Sequence, residues 1–173
     1  MKVMFINLQE VVVWRNIFTV KDGHLLKKNL GGEFSVEDAL RRHGKEEYTV
    51  LINSSSRPDS YIVIGKDYVI VYFLDDNLNE VLSYEFKFSK LTTDKLFLSF
   101  ITSKKYGVGK APIIIHQFKI LEDGHVFSER MDYESNIVDS YEVIINTNSN
   151  YYNYPKFGCY EEFLKLDRYF DSW

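Results

Sequence analysis

One cysteine, Cys159, in 173 residues excludes an internal disulfide and cannot alone hold a structural zinc, which draws four nitrogen or sulfur ligands. Read from the sequence, it is a buried or partly buried structural thiol beside a helix face. No stretch approaches the roughly 18 consecutive apolar residues of a membrane-spanning helix, and the first ten residues reach Asn7, Gln9 and Glu10 too soon for a secretory apolar core. A cytoplasmic protein without membrane association is expected. The four histidines, His24, His43, His116 and His125, include no pair at helical metal-ligand spacing. No Gly-x-Ser-x-Gly elbow occurs, and Gly107-Val108-Gly109-Lys110 lacks the Walker pattern because Lys104 and Ala111 stand where glycine and Ser or Thr belong. His116 reads as a satisfied sheet histidine and His125, near Asp123, as part of a solvated turn. The chain is expected to be a binding protein and not an enzyme, with no cofactor and no metal.

Alanine is scarce too, only Ala39 and Ala111, whereas Val, Ile, Thr, Tyr, Phe and Trp make 63 of the residues. That bias favours strands. In 81–89, Leu82, Tyr84, Phe86 and Phe88 alternate with Ser83, Glu85, Lys87 and Ser89, the pattern of an antiparallel strand with one dry face. Leu96, Leu98 and Phe100 repeat it, as do Tyr141, Val143 and Ile145. Further strands are read at 2–8, 11–20, 48–53, 61–64, 68–74, 113–121 and 125–131. Gly65-Lys66-Asp67, Asp75-Asp76-Asn77 and Glu122-Asp123-Gly124 supply turn residues between them. The prediction is a mainly β fold of the α+β type in one domain: an antiparallel meander of about ten strands, closing or partly closing into a barrel or sandwich. Two helices accompany it. Ser35 and Asp38 form a capping pattern with Val36, Ala39, Leu40 and His43 on one face, and a C-terminal helix or last strand covers 159–170.

Net charge is −4, which argues against general nucleic-acid binding. Glu122 to Glu142 alone carries seven acids and one base, Arg130, leaving +2 for the remainder. The acidity is local and suited to a cationic partner. An up-and-down meander returns alternate turns to the same end, so Asp75, Asp76, Glu80, Asp132, Tyr133 and Glu134 share one end with Tyr106. With Glu129 and Asp139 these residues form the candidate partner-binding set, and Asp67, Asp94, Glu122 and Asp123 gather at the other end. Neutralising Asp132, Glu134 and Asp139 together is expected to slow association with a basic partner.

The order of elements resembles the calycin type of barrel found in lipocalins and fatty-acid-binding proteins, although Val12 occupies the place of glycine in the lipocalin Gly-x-Trp opening at Trp14. That resemblance implies an intracellular carrier of a small apolar ligand. The acidic segment 122–142, the lack of catalytic signatures and the Asn- and Tyr-rich stretch 146–154 are similar in character to the immunity proteins of bacterial polymorphic-toxin and contact-dependent inhibition systems. This second resemblance implies a different role: an acidic face covering the active site of a cognate basic, nuclease-like toxin domain.

Overall fold

Strand after strand of alternating apolar and polar residues produces a twisted antiparallel sheet. The computed structural model describes residues 13–14, 18–21, 24–27, 33–53, 57–109 and 111–168. In chain order these form β1 (Val13–Trp14), β2 (Phe18–Lys21), β3 (His24–Lys27), β4 (Glu33–Phe34), α1 (Val36–Arg42), β5 (Tyr48–Ile52), β6 (Ser60–Ile64), β7 (Tyr68–Leu74), β8 (Glu80–Phe88), β9 (Lys95–Tyr106), β10 (Pro112–Ile120), β11 (His125–Asp132), β12 (Ile137–Ile144) and β13 (Tyr151–Asn153). From β5 to β12 each strand pairs with the next, the meander expected from the turn spacing. β1 extends the sheet beyond β5 and carries β4, while β2 and β3 form a separate hairpin. The strand expected at 2–8 lies outside the described residues.

One face of the meander carries the core, with Ile62, Val71, Tyr84, Phe86, Ile101 and Phe118 buried along it. Phe100 was expected on this face and is not there. Glu85 pairs with Phe100 but Phe86 with Leu98, so Ser99 is an extra residue on β9, and its hydroxyl donates to the Glu85 carbonyl at 3.2 Å. The bulge reverses the alternation and turns Ile101 inward in place of Phe100. Below the bulge β13 takes the edge of β9 opposite β8, pairing Tyr151 with Phe97 and Tyr152 with Leu96. The Asn- and Tyr-rich stretch is therefore part of the sheet.

The sheet is not closed into a barrel: among the described residues its path ends at β12 on one side and β4 on the other. The space a barrel would enclose is plugged by the chain's own C-terminal part. Phe163 meets the Phe86 ring edge-on at 5.0 Å, Tyr152 meets it at 5.1 Å, and the Arg168 guanidinium lies 4.9 Å from the Tyr152 ring centre. Among the described residues the expected C-terminal α-helix or last strand is absent as well. Segment 159–168 forms turns and one 3-10 turn, Leu166–Arg168. Carbonyls that a helix would bond internally are taken otherwise: Glu162, Phe163 and Lys165 accept from Arg168, and Leu166 from the Tyr84 hydroxyl at 3.1 Å. Tyr160 and Phe163 take the inward positions, so Cys159 is exposed and not buried as expected.

α1 forms as its capping pattern requires, with the Ser35 hydroxyl accepting from the Asp38 N–H at 3.1 Å. Its buried side is narrower than expected: Ala39 is buried, whereas Val36 and Leu40 are exposed. His43, at its C-terminal end, connects the helix to the C-terminal segment. Nε2 lies 2.9 Å from the Pro155 carbonyl, which can only accept, so Nδ1 accepts from the Tyr48 hydroxyl at 2.6 Å. The Tyr48 oxygen in turn contacts the Tyr160 hydroxyl at 3.2 Å. His116 is also satisfied within the sheet, 2.7 Å from the Ser128 hydroxyl.

Burial lowers the pKa of both histidines, helped at His116 by the charge of Arg130 and opposed at His43 by the bond to Pro155. Their neutral forms belong to the fold, while the unfolded chain takes up protons near pH 6.5. The stability they contribute is thus complete above about pH 6.5 and declines as the pH falls towards the lower folded values. The thermal midpoint should decrease between pH 7 and pH 5.5, before the carboxylates titrate. A flat midpoint across that interval would contradict this tautomer assignment.

Candidate protein-binding site

The meander returns the β7–β8, β9–β10 and β11–β12 turns to one end of the sheet, as the expected candidate set requires. Along that end the set divides. The β7–β8 and β11–β12 turns are four strands apart, about 19 Å at the usual strand spacing.

The β7–β8 group is committed to structure. Asp75 accepts from the backbone N–H of Asn77 and Asn79, each at 2.8 Å, and from the Asn79 side chain at 2.9 Å. Asp76 pairs with Arg57 at 3.2 Å. Leu74 pairs with Glu80 but Phe73 with Leu82, and the extra residue, Val81, turns Glu80 onto the face of Tyr61, Tyr72, Lys104 and Tyr106. There the Glu80 side chain is only 5% exposed, accepting from the Tyr61 hydroxyl and lying 3.2 Å from Lys104 Nζ. Tyr106 donates to the Glu80 carbonyl at 3.1 Å, and Tyr61 stacks on Tyr72 with ring centres 4.5 Å apart. Burial and then the Glu80 charge push the Tyr72 and Tyr106 phenols up to about 12 and Tyr61 higher still. All three stay protonated at neutral pH, which lets Tyr61 donate.

The β11–β12 hairpin has a different character. Asp132 accepts from the Glu134 and Ser135 N–H groups at 3.1 Å and lies 3.3 Å from Arg130. Hydrogen bonding from Ser135 leads the causes that hold its carboxyl below the usual range. Asp139 shares Arg130 at 3.7 Å, and Glu142 lies 2.8 Å from His125 Nδ1. Asp123 accepts from the His125 N–H at 3.1 Å, and Glu122 is tied down too. Partial burial works to raise its pKa, but bonds from Lys90 N–H, the Ser89 hydroxyl and Leu91 N–H outweigh it and bind the β8–β9 loop. Glu129 and Glu134 remain exposed with no side-chain partner among the described residues. They are the available negative charges of the acidic segment. The test of this segment accordingly falls on them, because removing Asp132 or Asp139 would also disturb the turn and Arg130.

Around them lies an apolar surface of which only Tyr133 belongs to the expected set. Phe127 is 42% exposed, Tyr133 and Tyr141 55%, Val138 63% and Ile144 71%. Cross-strand register puts Val138 beside Met131 and Ser140 beside Glu129 on the face opposite the core. Apolar side chains are thus exposed on both faces of β12, the kind of patch that interaction surfaces carry. The signal was present in Ile137-Val138 and Ile144-Ile145, adjacent apolar pairs that break alternation in the last strand of the meander. Among the described residues, no three His, Cys, Asp or Glu side chains converge as a metal site, and no helix is long and apolar enough to cross a membrane. Comparison with family models, with curated proteins and with solved structures finds no match to this chain.

Proposed function

We propose that this chain is an immunity-type protein that acts in the cytoplasm, binding a cognate basic, nuclease-like toxin domain and occluding its active site. The observation that carries this reading is the pairing of exposed apolar side chains with unpartnered carboxylates on β11–β12. Tyr133, Phe127 and Val138 supply area to bury, and Glu129 and Glu134 supply charge that steers a cationic partner. Desolvating these acids against Lys or Arg exchanges mutual repulsion for attraction. The carrier reading draws no support from the fold, because Tyr152, Phe163 and Arg168 fill the space a ligand would occupy.

The double substitution Glu129→Lys with Glu134→Lys tests the reading. Both side chains are exposed, so stability should change little. Association with a cognate basic toxin domain should slow at least about tenfold at low salt, with a weaker salt dependence. An unchanged on-rate would remove the acidic hairpin from the docking surface.

A further inference from the structure

Register decides which backbone groups of β12 are already bonded. Ile145 N–H donates to the Gly124 carbonyl at 2.9 Å; across β11, Leu121 N–H donates to His125 at 2.8 Å and Tyr133 N–H to Ile113 at 2.9 Å. In an antiparallel ladder such pairs alternate. Even-numbered residues of β11 therefore bond towards β12, and Ile137, Asp139, Tyr141 and Val143 bond back to them. Val138, Ser140, Glu142 and Ile144 turn their N–H and C=O groups outward, where no described strand pairs with them. Natural edges are protected by charged side chains, above all lysine, by proline or by a bulge, and the charges of β12 are two acids, Asp139 and Glu142, which a basic strand would neutralise. β12 contains no lysine or proline, and its register with β11 has no shift.

We propose that this edge receives an extended segment of the partner as an added strand, an inference that rests on the cationic-partner reading above. The side chains beside the edge specify the segment. Val138 and Ile144 ask for apolar neighbours at its two ends, and Glu142 asks for a base between them. Opposite Ser140 a second base is favoured, because the small serine leaves Glu129, one strand further in, within reach of a lysine or arginine. The segment thus carries apolar, basic, basic and apolar residues at alternate positions. A second copy of this chain is the wrong occupant, since self-pairing would bring two segments of net charge −6 together.

Amide hydrogen exchange of the full chain, alone and with the proposed cognate basic toxin domain, tests the proposal. In the free chain Val138, Ser140, Glu142 and Ile144 should exchange fast, and Asp139, Tyr141 and Val143 slowly. The complex should slow the four outward amides by about 100-fold or more. Ser140→Pro removes an outward N–H but no ladder bond, so the sheet should persist while affinity falls at least tenfold. A complex in which the four amides still exchange fast, or protection of the free chain that grows with its concentration, overturns strand addition and leaves the cationic-partner reading standing. Absence of any complex overturns that reading itself.

Discussion

Replacing Glu80 by alanine should lower unfolding stability by about 3 kcal/mol, the lower part of the range for breaking a buried ion pair, because Lys104 retains 23% exposure and can partly rehydrate. The loss has two parts. Tyr61, buried to 3% exposure, would keep a hydroxyl with its acceptor gone, and the Lys104 ammonium would lose its counter-ion. Glu80→Gln retains an acceptor for Tyr61 and should cost about 1–2 kcal/mol. Neither variant, measured under conditions where it is folded, should alter the rate of association with a basic partner. Denaturant unfolding of the two variants separates the contributions. An alanine variant as stable as wild type would mean that Glu80 is available for recognition after all.

Phe86→Ala should have the larger effect, about 3–5 kcal/mol, approaching the whole stability of a marginal domain. Phe86 is fully buried, and its ring is met by Tyr84, Tyr152 and Phe163, with the Arg168 guanidinium 5.7 Å from its centre. Removing it opens a cavity at the junction between the sheet and the C-terminal segment. Protease should then release 159–168 before it cuts the meander. Loss of stability with that segment still protected would show that the segment is held elsewhere.

These two residues also show what could be read from the sequence. Phe86 was legible because alternation in 81–89 is a local property of one strand, and Tyr84 and Phe86 are buried where that period puts them. The shared end of the alternate turns was legible for the same reason, since topology follows from hairpin-length connections. Glu80 was legible as an acid near that end but not as a buried one, because its position depends on the bulge at Val81 and on Lys104, 24 residues away. The C-terminal helix failed in a similar way. The Leu166 carbonyl finds Tyr84, a partner that exists only once the sheet has formed, and the others find Arg168, whose guanidinium is held over the Tyr152 and Phe86 rings of the sheet. Composition located the acidic segment, but only three-dimensional pairing separates Glu129 and Glu134 from Asp132, Asp139 and Glu142, which are held by the turn, Arg130 and His125.

The most direct measurement is a titration of the catalytic activity of the proposed cognate basic toxin domain with this chain. Complete loss of activity is expected at one equivalent of wild type, and a strongly weakened effect of the Glu129→Lys, Glu134→Lys variant at low salt. Activity that persists in the presence of ten equivalents of wild-type chain would contradict it.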